Sequence, residues 1–397
     1  MPGPAEGQGS VPLSDIAVDD ELVAAAGRAL ASGWWSTGPR VADFEAAFAR
    51  FVGVEHAVAV SSGTAALHLA AAACGCGPGD EVVMPSLNFV AAASVIRHLG
   101  AAPVFCDVLG ADDPNLDPVD LEAAVGPRTK AVVTLHYGGT PCDMDAVTAV
   151  AERLGLVVIE DAAHAPGAAY RGRACGSLGA AGCFSFFSNK NLPIGEGGMV
   201  VTDDAALADR VRLLRSHGMT ALSWDQERGH AAGYDVLASG YNYRLDEPRA
   251  AIGLVQLGRL DAGNAARARL AALYRERLGG IAGLTLPSAA RAPGTTSAEH
   301  IAVVVLPPGT SRAAIRAALA ERRIQSSVHY PPIHRFSAFA GTAMRPLPRT
   351  DAIADRLLTL PLFPHMTGAQ VHKVADALVD ALAEHAPRSP AAEMARP

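Results

Sequence analysis

No segment of this chain has the form G-x-x-x-x-G-K-[ST], and no G-x-G-x-x-G opens its first helix. The two best-known glycine-rich phosphate cradles are therefore excluded. Positive charge is also short. The 33 Lys and Arg stand against 40 Asp and Glu, for a formal net charge of −7 and a pI near 6.0. That balance gives no bulk attraction to nucleic acid or to an anionic membrane surface. Cysteine is sparse: Cys74, Cys76, Cys106, Cys142, Cys175 and Cys183 are scattered through apparent core segments. Cys74 and Cys76 flank Gly75, but no second Cys/His pair follows at zinc spacing, so no metal site is expected. These thiols read as small buried hydrophobes of a protein in the reducing cytoplasm. Residues 1–9 lack a basic stretch followed by an apolar run, so no signal peptide is expected. The most apolar region, 58–73, is broken by Ser61, Ser62, Gly63, Thr64 and His68 and does not read as a membrane span.

What is present is core. Half of the 397 residues are hydrophobic and 18% are charged, enough for one large domain and a smaller one. Helical spacing marks 18–30 and 41–51, the latter through Val41, Phe44, Phe48 and Phe51. Between them lies Trp34-Trp35-Ser36-Thr37-Gly38-Pro39. Aromatics in such a loop pack more often than they bind, but the turn beside them leaves a substrate loop open. A regular alternation follows. Strands are expected at 56–60, 81–84, 103–106, 130–135, 156–159, 184–187 and 199–202. Helices are expected at 63–73, 89–99, 144–154 and 207–214. This order predicts an α/β fold with a mostly parallel sheet covered on both faces. Its ligand crevice then lies beyond the carboxyl ends of the strands. A long helix is expected over 247–278. Beyond Gly279, strands at 301–306 and 324–329 and helices at 311–322 and 368–384 describe a compact α+β unit. The expected organisation is a loose tail (1–15), a large domain (16–260), a small C-terminal domain (261–385) and a disordered tail (386–397).

Four features fall where such a sheet places its ligand. Ser61-Ser62-Gly63-Thr64 follows a strand and opens a helix, so it is either a plain cap or an anion site for a phosphate. Asp161 ends an apolar strand before Ala162-Ala163-His164; it caps the next segment or faces a buried cation. Phe89 sits in another strand-end loop, as core or as ligand contact. Lys190 lies in an apolar loop with glycines and a proline, where burial as an ammonium is costly. Unless paired, such a lysine has a lowered pKa and becomes an amine able to attack a carbonyl. A phosphate cradle, an aromatic platform, a strand-end acid and a buried lysine together meet the needs of pyridoxal phosphate (PLP). The lysine binds its aldehyde and the acid keeps its ring nitrogen protonated.

The segments SSGTAAL (61–67), EDAAH (160–164), CFSFFSNKN (183–191), GEGG (195–198) and GYNYRLD (240–246) resemble the DegT-type sugar aminotransferases. The similarity runs from about residue 36 to 260 and continues more faintly through SVHYPP (327–332). These are PLP enzymes with the aspartate-aminotransferase fold, fold type I. The resemblance implies that Lys190 carries the cofactor and then moves the substrate proton. It implies that Asp161 pairs with the ring nitrogen, that His164 stands beside the ring hydroxyl, and that Phe89 stacks on the ring. Gly63, Thr64 and Ser185 would hold the phosphate. Asn242, with Arg244, would reach the phosphate of a neighbouring subunit, which implies a homodimer with shared sites. Trp35, His329 and Tyr330 would line the sugar-nucleotide pocket. Family members often carry Leu-Thr-Thr where this chain has Leu192-Pro193-Ile194. Members that dehydrate can have His in place of the lysine, so Lys190 favours amino transfer. The expected reaction passes an amine from L-glutamate to a nucleotide-linked keto-deoxysugar, with a dTDP-linked 4-keto-6-deoxyhexose preferred. A 3-keto-sugar, a keto-cyclitol or an aminobenzoate-type precursor is the runner-up substrate. A PLP-dependent dehydratase is a rival chemistry for the same cofactor. A non-catalytic regulator or scaffold with this fold is the rival from a different class.

Overall fold

The computed structural model of the chain describes residues 9–221, 233–287, 292–342 and 345–385. The tail expected to be disordered, 386–397, lies outside the described residues, as do the first eight of the expected loose tail. The central sheet has seven strands: β1 (His56–Val60), β2 (Glu81–Pro85), β3 (Ala102–Cys106), β4 (Thr129–Leu135), β5 (Val157–Asp161), β8 (Ala181–Ser185) and β9 (Gly198–Thr202). Their spatial order is β1-β9-β8-β5-β4-β2-β3. Neighbours pair in parallel from β3 through β2, β4 and β5 to β8. Only β9 runs against the rest, antiparallel to both β8 and β1. Two short strands, β6 (Ala169–Tyr170) and β7 (Arg173–Ala174), form a separate ribbon.

The sheet is buried on both faces, as continuous apolar strands such as HAVAV and GMVVT require. On one face lie α3 (Gly63–Ala73), α4 (Ala91–His98) and α7 (Ala205–Arg215), packed around Leu69, Ile96 and Val211. The alanines of α3 let it approach the strands closely, so the helix is buried nearly all round. A phenylalanine cluster fills the space between the sheet and α2 (Pro39–Val52). There Phe48 meets Phe184 at 4.9 Å and Phe186 at 5.3 Å between ring centroids. That cluster lies on the other face, which α5 (Pro118–Ala124) and α6 (Met144–Leu154) also cover around Leu121 and Val147.

The helix Glu247–Leu278 starts at Asp246, whose side chain accepts from Arg249 N, and runs unbroken for 32 residues. The boundary expected at 260/261 therefore falls inside one rigid element. Its far end, with Leu270, Tyr274 and Leu278, joins a second core. That core is built on an antiparallel pair, β10 (Ala302–Val305) and β11 (Leu357–Leu360), and on the helices Arg312–Glu321 and Gly368–Glu384.

Three expectations are corrected. The strand expected at 324–329 is absent: Ile324 makes one bridge to Val11 and Ser327 one to Thr359, so its partners lie on different segments and no ladder propagates. The real partner of β10 is the unforeseen β11. Residues 9–15 are not loose. Val11 is buried, donates to Arg323 O (2.9 Å) and accepts from Gln325 N (3.0 Å), while Leu13 O accepts from Leu362 N (3.1 Å). Finally, β8 starts three residues and ends two residues earlier than expected, which makes Ser185 its last residue.

Candidate active site

The carboxyl ends of β1, β2, β5 and β8 open on one cavity of about 380 Å³. It is lined by Gly63, Thr64, Phe89, Asp161, His164, Ser185, Lys190, His329 and Tyr330, nine of the twelve residues expected from sequence. The other three line no part of it. Trp35 is 61% exposed, and its indole N–H donates to Leu30 O at 2.9 Å. Asn242 is exposed and bridges Ser216; Arg244 bridges Val60. A wider groove between α1 (Asp20–Ala31), α2 and the long helix contains Glu247, but both its oxygens accept backbone N–H groups of Arg40 and Val41. Its one carboxylate is thus engaged in structure.

At one end of the cavity, Ser62 caps α3 by accepting from Ala65 N at 3.0 Å. The remaining first-turn N–H groups and the helix dipole present partial positive charge. Gly63 is required here by crowding: a Cβ would stand 2.7 Å from Ser185 Cβ. Ser185 thereby lies against the helix start, which makes a cradle shaped for a small anion.

Asp161 is the last residue of β5 and is buried, and its Oδ1 accepts from Ala163 N at 3.2 Å. Burial raises its pKa; the Ala163 N–H and the Lys190 charge oppose that rise. Lys190 is half-buried on the loop after β8, its backbone N–H donating to Phe187 O at 2.8 Å. Desolvation brings its ammonium down to about 8, against the pull of Asp161. In both residues burial outweighs mutual attraction. The lysine is thus a ready nucleophile near neutral pH, and the acid is strongly receptive to a buried cation.

Asp161 is held from behind by its neighbour. Glu160 is fully buried and accepts from Gly176 N (2.7 Å), Leu178 N (2.6 Å) and Gly179 N (2.7 Å). It also pairs with His136 Nε2 at 2.8 Å. The backbone N–H of Cys142 donates to His136 Nδ1 (3.1 Å), so Nε2 carries the proton that Glu160 receives. Four donors on one carboxylate lock the end of β5.

Part of the cavity wall is aromatic. Tyr330 meets Phe89 (5.6 Å), His164 (5.7 Å) and His329 (5.0 Å) between ring centroids. Phe89 is 54% exposed, a large apolar face left open at the cavity. His329 is tied to Thr359 Oγ1 at 2.9 Å, its carbonyl accepts from Tyr137 Oη, and burial lowers its pKa to about 4.

Sequence reasoning passed over several residues here. Asn88 is fully buried with its Nδ2 unpartnered, and Asn189 Oδ1 is likewise unpartnered; both line the cavity. Asn88 directly precedes Phe89 at a strand end, which was the available signal. Asn191 donates to Asn264 Oδ1 and Ala298 O, both at 2.8 Å, and accepts from His300 Nδ1 at 2.9 Å. No local pattern marks His300, which arrives from more than 100 residues away. All six cysteines are free, and among the described residues no group of His, Cys, Asp and Glu is placed to hold a metal ion.

An open aromatic face, a helix-start cradle, a receptive buried acid and a lysine of lowered pKa fit a phosphorylated, protonated heteroaromatic aldehyde. Comparison with known proteins agrees. A family model described as the DegT/DnrJ/EryC1/StrS aminotransferase family matches residues 17–379. The spore coat polysaccharide biosynthesis protein SpsC of Bacillus subtilis (strain 168) is 43% identical over 378 residues, 93% of this chain and 96% of that protein. The structure of DesI in the presence of its TDP-sugar product is 35% identical, with a TM-score of 0.85 over 99% of this chain and 98% of that one. Spr1654 from Streptococcus pneumoniae, in its PLP-form, is 26% identical with a TM-score of 0.88 over 95% and 100% of the two chains.

Proposed function

Because the chain belongs to the DegT/DnrJ/EryC1/StrS aminotransferase family, we propose that it aminates a dTDP-linked 4-keto-6-deoxyhexose, with L-glutamate as donor. It is a PLP-dependent aminotransferase with the type I fold. The finer reading is supported by the TDP-sugar product in the DesI structure, by the polysaccharide role in the name of SpsC, and by the open mouth of the cavity.

The observation that carries the assignment of roles is the convergence of Lys190 and Asp161 on one cavity with the start of α3. PLP, when bound, supplies an electron sink that stabilises negative charge at the substrate carbon. In our reading the first-turn N–H groups at Gly63 and Thr64, with Ser185, bind its phosphate. Asp161 faces the ring nitrogen and holds its proton, and Phe89 covers one face of the ring. Lys190 Nζ binds the aldehyde and afterwards carries the proton between substrate carbon and coenzyme. His164 and Tyr330 line the same cavity. Asn242 and Arg244, outside the protomer's own cavity, are assigned to the phosphate site of a second subunit. We read the chain as a large unit (16–260) and a small one (261–385) that share the long helix.

The test supplies purified holoenzyme with L-glutamate and a panel of nucleotide keto-sugars and reads products by mass. Amination of a dTDP-4-keto-6-deoxyhexose supports the substrate; amination only of a 3-keto-sugar or a keto-cyclitol overturns it. No 2-oxoglutarate formed would remove glutamate as the donor.

A further inference from the structure

The hydrogen bonds around His164 have a fixed direction. The backbone N–H of Gly138 donates to His164 Nδ1 at 3.3 Å. Nδ1 is therefore an acceptor, and in a neutral imidazole the proton sits on Nε2. Nε2 lies 2.7 Å from the hydroxyl of Tyr330, so the ring donates and Tyr330 Oη accepts. A phenol that accepts still owns its own proton. Among the described residues no acceptor takes that proton, and Tyr330 lines the same cavity as Lys190.

His164 is buried, so a second proton on its ring is disfavoured. His300 packs on its face at 4.4 Å and adds no negative charge. Asn191 fixes His300 in turn, since its amide group already donates twice and its Oδ1 must accept from His300 Nδ1–H. Desolvation, with Lys190 and His329 nearby, holds the pKa of His164 well below its ordinary value. The phenol ring of Tyr330 is confined by Phe89, His164 and His329.

We propose that Tyr330 is a catalytic hydrogen-bond donor whose hydroxyl, oriented by His164 Nε2–H, points its proton at the keto oxygen of the bound substrate. The assignment rests on the transamination proposed for this cavity and goes further by naming the group that polarises the carbonyl. A donor placed in a water-poor site at the atom where negative charge develops is worth about 10²–10³ in rate. The order of the parts is Gly138 N–H to His164, His164 to Tyr330, and Tyr330 to the carbonyl oxygen. The last link is open only because the first two point the same way.

Two measurements test this. Nitrogen-15 NMR of the imidazoles in the holoenzyme, with the His164 signal assigned by its loss in His164→Gln, reads the tautomer directly. A neutral ring protonated at Nε2 is expected; a proton on Nδ1, or an imidazolium, overturns the proposal. Tyr330→Phe is then followed in D₂O with an amino acid that the wild-type enzyme uses. Exchange of the donor's Cα proton precedes any chemistry at a keto oxygen, so it should continue near the wild-type rate. That retention also shows the variant folded and loaded. Keto-acid release and sugar amination should both fall about 10²-fold. Loss of exchange together with turnover, or no loss of either, rejects the assignment. Should the wild-type enzyme exchange glutamate poorly but another amino acid well, the donor named above fails while the role of Tyr330 is still decided.

Discussion

At position 190 an ammonium is poorly solvated, and the carboxylate that faces it is itself pushed toward its neutral form. The amine therefore loses its proton near pH 8 instead of 10.5. Only the unprotonated amine attacks an aldehyde, so below that pH the reactive fraction falls about tenfold per pH unit. Reloading of cofactor-free enzyme with PLP, followed by absorbance, should accelerate from neutral pH to about 8 and then level off. A rate still climbing toward pH 10.5 would mean that the side chain is solvated. Borohydride reduction of the holoenzyme should leave a cofactor mass on the peptide containing Lys190, and Lys190→Ala should carry none. Gly63 makes a purely steric prediction. Its added methyl group would meet Ser185 Cβ at 2.7 Å, so Gly63→Ala forces the helix start and Ser185 apart. Overpacking of this kind costs about 1–3 kcal/mol. Because the strain falls on the cradle, PLP affinity measured by titration should drop alongside the melting temperature. A variant that melts normally and binds PLP normally would remove the phosphate from this helix.

Between residues and fold stands β5, whose end is fastened by Glu160. This carboxylate receives three backbone N–H groups and His136, all in a fully buried site. Glu160→Gln would turn an NH₂ toward donors and leave at least one unsatisfied, at a cost of about 2–4 kcal/mol. Chemical denaturation should show that loss. PLP binding should weaken as well, because Asp161 is the next residue on the same strand. Stability falling with PLP affinity intact would show that Asp161 is positioned by other means. The helices at 63–73, 144–154, 247–278 and 368–384 were readable from sequence to the residue, because each opens on a capping side chain, Ser62, Asp143, Asp246 and Thr367 in turn. The segment 324–329 misled because Ile324 and Val328 are its only aliphatic residues, four apart with Ser326 between them, which fixes no period, and its bridging partners lie on two different segments. Periodicity reports which side of a segment is apolar, and says nothing about whether a continuous partner strand exists. The same limit explains the site. Asp161 and Gly63 sit at strand ends, and Lys190 on the loop after one, in local patterns that chemistry recognises. Asn191 and His300 matter through contacts that sequence spacing does not encode.

At the scale of the whole molecule, the Glu247–Leu278 helix joins two cores, and residues 9–15 pack on the second, bonding Arg323, Gln325 and Leu362. His329 and Tyr330 come from the C-terminal part, while Asp161 and Lys190 come from the sheet, so the cavity exists only where the two meet. The segment carrying Asn242 leaves the protomer's cavity entirely. It is anchored by stacked Tyr241 and Tyr243, whose ring centroids are 5.0 Å apart at 8°, and by Ser61 N donating to Tyr243 O at 2.8 Å. Tyr241 and Tyr243 both pack near His68 on α3, the helix whose start we assign to the phosphate. An exposed asparagine on so firmly held a base is suited to enter another subunit's site. If two subunits exchange this residue, a Lys190→Ala chain still lends a good Asn242, and an Asn242→Ala chain still has a good lysine. Each variant alone should be nearly inactive. After the two are unfolded together and refolded, random pairing makes half of the dimers mixed, each with one complete site. Recovery of roughly a quarter of wild-type activity is therefore expected. Each variant should first be shown to refold alone, by circular dichroism and gel filtration. With that control met, a mixture no more active than its parents would confine Asn242 to its own subunit, and with it the shared cofactor site would fall.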